Sequence, residues 1–162
     1  MKYIFKYSIL ILTILFVGCN NNRLETAKEQ NTESVFPKGD KITNNNFTGT
    51  AWLQMLVNND SIYNTSIGNV TFESKARTNW HKHPGGQILL VTKGSGYYQE
   101  KGKPTQLIRK GDIVKIPPDA EHWHGAAPDT SLTHIAISLN TDKGSVVWLG
   151  NVIDEDNSLK PQ

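Results

Sequence analysis

All five histidines of this 162-residue chain fall between positions 81 and 134, as His81-x-His83, His122-x-His124 and His134. Neutral imidazole is the commonest protein ligand for transition metals. On an extended strand, a two-residue spacing sends both rings to one face. Two such pairs on neighbouring strands would aim four imidazoles at one small volume. The pattern therefore predicts a metal site built on β-structure.

The segments that must carry these rings read as strands and turns. Ala51 to Val57 and Ser66 to Phe72 are β-rich runs separated by an Asn58-Asn59-Asp60 turn. Gln87 to Thr92 follows, and Lys93-Gly94-Ser95-Gly96 is expected to turn the chain into Tyr97 to Glu100. Thr105 to Ile108, Ile113 to Ile116, Leu132 to Leu139 and Val146 to Leu149 complete the set. Gly, Pro, Asn and Asp punctuate the junctions. Short strands with no convincing helix predict an all-β sandwich or barrel. Residues 47–153 are of a size to form one domain around a single core.

What precedes the domain is of a different character. Lys2 and Lys6 lead into an uncharged apolar run from Tyr7 to Gly18, followed by Cys19. That run is shorter than the roughly 20 residues a bilayer span requires, and it suits the core of a secretory signal peptide. Phe16-Val17-Gly18-Cys19 resembles the lipobox of bacterial lipoproteins, with Phe16 where Leu is usual. The resemblance implies cleavage after residue 18, lipidation of Cys19 and an exported protein held on a membrane by its acyl chains, on the periplasmic or surface side. Residues 19–46 are rich in Asn, Thr, Lys and Glu and read as a flexible tether, reaching roughly 25–30 Å. The acidic stretch Asp154-Glu155-Asp156 opens a solvated C-terminal tail, 154–162. Against 17 basic and 15 acidic residues, loss of Lys2 and Lys6 leaves the mature chain balanced at 15 each. A neutral chain argues against a nucleic-acid partner. With Cys19 the sole cysteine, the domain has no internal disulfide and no thiol nucleophile.

The spacings resemble those of the cupin superfamily. Its first motif, a Gly, five residues, His-x-His, three or four residues, Glu, six residues, Gly, falls here on Lys75, His81, His83, Gln87 and Gly94. Its second, a Gly, five residues, Pro-x-Gly, two residues, His, three residues, Asn, falls on Gly111, Pro117, Asp119, His122 and Ala126. Every spacing holds and six of ten positions match. The departures at Lys75, Asp119 and Ala126 concern turns. Asp tolerates the left-handed conformation that Gly supplies, Lys less readily, so the loop before His81 is expected to differ. The resemblance implies a double-stranded β-helix, the jelly-roll barrel, and a metal held by His81, His83, Gln87 and His122. Gln in place of Glu keeps an oxygen donor but removes a negative charge. The cation would keep its full charge, bind more weakly and act as a stronger Lewis acid.

A narrower resemblance covers residues 67–149. The strings Ala76-Arg77-Thr78-Asn79-Trp80-His81-Lys82-His83-Pro84-Gly85-Gly86-Gln87, His122-Trp123-His124-Gly125-Ala126 and Thr133-His134-Ile135-Ala136-Ile137 are similar to small single-domain cupins that include bacterial manganese-dependent hydroxynitrile lyases. In that group Gln is the expected fourth ligand. The resemblance implies a divalent transition metal, Mn first and Fe, Zn, Ni or Co as alternatives, a small-molecule substrate, a homodimer, and His134 as acid/base. The implied reaction is reversible cleavage of a cyanohydrin to aldehyde and cyanide. Two other outcomes stand beside it: a non-catalytic cupin binding a metal, sugar or metabolite, and a metal-dependent dioxygenase or decarboxylase.

Alternation supports the assignment of His134. In Thr133 to Leu139 it places Ile135, Ile137 and Leu139 on one face and His134, Ala136 and Ser138 on the other, where small neighbours leave room for a ligand. His124 has two readings, a pocket residue with an acid/base part or a hydrogen-bonding group at a strand end. Trp80 and Trp123 are pocket walls or core packing, Arg77 an anion contact or a structural pair. Of Tyr97 and Tyr98, only one can face inward.

Overall fold

The structure is a computed structural model and describes residues 34–153; the leader, Cys19 and the acidic tail lie outside the described residues. Its elements are β1 (Asp40–Lys41), β2 (Phe47–Thr48), β3 (Ala51–Asp60), β4 (Thr65–Phe72), β5 (Arg77–Thr78), β6 (His81–Lys82), β7 (Gln87–Glu100), β8 (Gln106–Arg109), β9 (Ile113–Ile116), β10 (His122–Ala126), β11 (Leu132–Ser138) and β12 (Val147–Trp148). The only helical turn among the described residues is a three-residue 3₁₀ turn, Thr141–Lys143. All pairings are antiparallel, in the order β1-β3-β4-β11-β7-β10-β5-β2, with β8 and β9 added to β7 and β6 bridging β10 and β12. This is an all-β barrel, as the strands and turns predict, and the jelly roll that the cupin resemblance implies.

The barrel closes because β7 belongs to both of its sheets. Residues 87–94 pair with β11, and residues 95–100 pair with β8 and β10. The expected turn at Lys93-Gly94-Ser95-Gly96 is thus a bend inside one 14-residue strand. Gly94 takes a φ of +71°, and its missing Cβ leaves room for the carbonyl of Ser131. Gly96 in turn lies under the carbonyl of Gly125. The glycines here serve close backbone approach rather than chain reversal. A bulge between Thr133 and His134 shifts the register of β11 against β7, so His134 faces Val91 and not Thr92. Bulges re-aim side chains in this way.

Inward faces follow the two-residue period. Leu89, Val91, Tyr98, Val70, Phe72, Val114, Ile116, Ile108 and Leu132 make the core of the barrel. Trp80 and Trp123 lie outside it, in a second cluster with Val152 and Tyr97. Both are buried in that packing, the second of the two readings; Tyr98 is the tyrosine that faces in. Arg77 donates from Nη2 to the carbonyl of Val152 at 2.9 Å, a structural tie on the same outer face.

Three local expectations change. β3 runs through the expected Asn58-Asn59-Asp60 turn, and the chain reverses at 61–64, where Asp60 Oδ1 accepts the N–H groups of Ile62 and Tyr63 at 2.8 and 2.9 Å. Residues 40–41, inside the segment that composition assigns to the tether, form β1 against Leu53 and Trp52. That segment is held by polar contacts: Asn69 Nδ2 donates to the carbonyl of Pro37, and Asn79 Nδ2 to that of Asn45, both at 2.9 Å. An apolar count cannot register such ties. Lys75 adopts the left-handed conformation after all, at φ 66°, as does Asp119 at φ 59°. The loop before His81 therefore keeps the glycine geometry at the expense of a strained lysine.

Relief of that strain is measurable. Lys75→Gly is expected to raise unfolding stability by about 0.5–1 kcal/mol, the left-handed penalty less glycine's entropy. Chemical denaturation would show it; a midpoint that falls would mean the Lys75 side chain contributes contacts that outweigh its backbone.

Candidate metal centre

Three histidines converge in the barrel. One ligating nitrogen from each of His81, His83 and His122 lies within 4.8 Å of the others, and all three residues are buried. His81 and His122 are register partners on β6 and β10, so the expectation of neighbouring strands holds for that pair. His83 sits just past β6, in a turn fixed by its own carbonyl, which accepts from the N–H groups of Gly86 and Asp119. Asp119 also pairs with Lys82 at 3.0 Å, so the loops carrying the two motifs are tied together. Gln87 opens β7, and its Oε1 is 3.3 Å from His122 Nε2. The carboxamide therefore reaches the imidazole cluster.

The rings are oriented by their other nitrogens. His81 Nδ1 lies 3.0 Å from the carbonyl of Asn79, and His122 Nδ1 lies 2.8 Å from that of Ala120. A carbonyl only accepts, so both Nδ1 atoms carry hydrogen, and in the neutral rings both Nε2 atoms are bare; at His122 that lone pair faces the Gln87 oxygen, a pairing of two acceptors that a shared cation would satisfy. His83 Nε2 is buried with no hydrogen-bond partner. Buried polar atoms are rarely left so, and a cation at the common focus would satisfy it. The donor set of three imidazoles and a carboxamide, without thiolate, fits a borderline divalent ion.

His134 and His124 form a second layer. His134 Nε2 is 3.2 Å from His124 Nδ1. The His124 ring lies 4.8 Å from that of His134, 5.2 Å from that of His81 and 5.9 Å from that of His122. His124 thus stands between His134 and the ligand rings, buried and hydrogen-bonded to His134. Phe72 packs against both, each at 5.7 Å. His134 Nδ1 is a further buried nitrogen without a partner. The sequence reading missed three supports. The Trp148 ring lies 4.9 Å from that of His81; Ser138 Oγ lies 3.3 Å from His83 Nδ1; and the carbonyls of Asn79 and Ala120 set two tautomers. Only Ser138 left a signal, its place on the His134 face.

A pocket of about 350 Å³ opens beside His83, lined among others by Asn59, Ser66, Ser138, Leu139 and Val146. Burial governs the electrostatics of the whole group. Desolvation pushes His83, His122 and His134 down from the ordinary 6.5 to about 4, and holds His81 and His124 well below that ordinary value. All five are neutral near pH 7, the state that ligates metals and accepts protons.

The sign of the resulting pH dependence follows. Unfolded imidazoles protonate near 6.5 while the folded ones resist to about 4, so the unfolded state binds more protons inside that window. Metal-stripped protein should keep its full stability above pH 6.5 and lose it progressively towards pH 4, each such histidine adding up to about 1.4 kcal/mol per pH unit. Thermal unfolding at pH 7.5, 6 and 5 measures it; a flat profile would place the histidines in water.

Comparison with known proteins agrees with this geometry. The Cupin domain family matches residues 68–138. (R)-mandelonitrile lyase of Granulicella tundricola is 44% identical over 109 residues, 67% of this chain and 83% of that protein. The crystal structure of a cupin-like protein from Thermotoga maritima shares 50% identity with a TM-score of 0.74, over 76% of this chain and 94% of that one. A cupin-2 domain from Rhodospirillum rubrum, at 15% identity and a TM-score of 0.59, covers 78% of this chain and 84% of its own, and shares the fold. With its motif histidines gathered at one focus inside a jelly roll, this chain belongs to the cupin superfamily.

Proposed function

We propose that this protein is a metal-dependent lyase that splits a small cyanohydrin into aldehyde and cyanide and catalyses the reverse addition. The observation that carries the reading is the pairing of two sites: three lone-pair imidazoles with Gln87 at one focus, and a neutral His124–His134 pair beside them. The likeness to the Granulicella protein supports the same chemistry. Manganese is the proposed ion, held by His81, His83, Gln87 and His122. When bound, such an ion supplies a Lewis-acid charge that favours negative charge on the substrate oxygen and on departing cyanide.

The residues of the chain do the rest. His124, which stands between the ligand rings and His134, carries the proton of the substrate hydroxyl to His134 through their shared hydrogen bond. The oxygen's electron pair forms the carbonyl, and the carbon–carbon bond to the nitrile breaks, its pair leaving with cyanide. The imidazolium then returns its proton to give hydrogen cyanide. Burial makes that imidazolium costly, so the proton is held only briefly. The pocket beside His83 receives the carbon skeleton.

The test is the full chain loaded with Mn or Fe and offered mandelonitrile. Stoichiometric metal with turnover, falling roughly 10²–10⁴-fold in His134→Ala, is the expected result. Metal and tight ligand binding without turnover under any first-row ion would instead make this a binding module. We further propose that acyl chains on Cys19 hold the enzyme on a membrane, on the strength of Phe16-Val17-Gly18-Cys19 alone. Cys19→Ser should move the protein to the soluble fraction of bacterial cells; retention in the membrane fraction would sink that proposal.

A further inference from the structure

Among the three cup histidines, His83 is held differently. His81 and His122 rest on backbone carbonyls, which fix one tautomer. The Nδ1 of His83 faces a hydroxyl, Ser138 Oγ, at 3.3 Å, and a hydroxyl donates or accepts with equal ease. If Ser138 donates, Nδ1 is the acceptor, the ring hydrogen moves to Nε2, and His83 has no lone pair for a cation. If Ser138 accepts, Nδ1 carries the hydrogen and Nε2 is bare. The buried Nε2 without a partner fits the second arrangement.

The position of Ser138 adds a consequence. At the end of β11 it is the register partner of Ser66 on β4 and of Gln87 on β7. Together with His83 and Ser66 it lines the 350 Å³ pocket. Among the described residues its side chain has His83 as its hydrogen-bond partner. A hydroxyl that accepts from His83 therefore has its own hydrogen to offer, and the pocket lies beside it.

We infer that Ser138 is a positioning residue that couples occupancy of this pocket to the metal. Its oxygen accepts the Nδ1 hydrogen of His83, and its hydrogen is donated to an acceptor atom of the ligand, such as a carbonyl oxygen. A ligand with such an acceptor holds Ser138 in its accepting role towards His83 and so favours the ligating tautomer. Acceptor and metal then strengthen each other's binding by the same factor. The inference rests on the reading of His81, His83, Gln87 and His122 as metal ligands.

Metal affinity tests it without any assay of turnover. Full chain stripped of metal is titrated with Mn(II) against a competing chelator, as wild type, Ser138→Ala and Ser138→Thr, each first checked for an unchanged thermal midpoint. Ser138→Ala should weaken Mn binding about 10–100-fold, and Ser138→Thr, which keeps the hydroxyl, should restore it to within a few-fold. Benzaldehyde, an acceptor with no donor, should tighten Mn binding in wild type and Ser138→Thr but not in Ser138→Ala. Loading with Zn(II) allows the ring nitrogens of His83 to be followed by ¹⁵N NMR, where a protonated Nδ1 is expected. Equal Mn affinity in wild type and Ser138→Ala overturns this inference and leaves the metal centre standing. A wild type that takes up neither ion overturns both.

Discussion

Every feature of this molecule answers to the cost of placing five imidazoles in a dry interior. A histidine removed from water must be neutral, and each of its nitrogens needs a partner or a lone-pair acceptor. No member of the cup is a carboxylate that could stabilise a charged ring. Fixed carbonyls at Asn79 and Ala120 supply the partners for two rings, Ser138 for a third, and the remaining pair uses each other. Once those hydrogens are placed, the unused lone pairs point to one focus. Affinity for a cation is thus the other face of the constraint that keeps the rings uncharged.

Much of this was visible in the chain itself. The two-residue spacing in β10 puts His122 and His124 on the inward face, and alternation in β11 does the same for His134 and Ser138. What was not visible has physical reasons. The bend in β7 reads as a turn because glycines that admit a neighbouring carbonyl and glycines that reverse a chain look alike in sequence. The ordering of residues 37–46 rests on the short pairing of β1 with β3 and on side-chain amides bonding to distant carbonyls, neither of which leaves a periodicity. The bulge at Thr133 decides which residue of β7 faces His134, and no local pattern announces a bulge.

The comparisons separate fold from chemistry in a similar way. The Rhodospirillum domain keeps the barrel at 15% identity, so the barrel alone says little about reaction. What narrows the chemistry is the set of groups inside: a carboxamide where a carboxylate would neutralise charge, and a second pair of histidines behind the first. A fold shared this widely acts as a rigid holder, and a few inward positions on β6, β7, β10 and β11 decide what it holds.

β6 is two residues long and cannot hold its shape unaided. On one side it is paired with β10; on the other lies β12, contributed from 66 residues later in the chain, with Trp148 opposite His81. Beyond it, Leu149 and Gly150 bond to the backbone of Trp80, and Val152 is clasped by Arg77. A nascent polypeptide released only as far as residue 146 would have all of its histidines yet lack the clamp over the first of them. The strand that presents the first ligand histidine is thus completed only by residues from the far end of the domain.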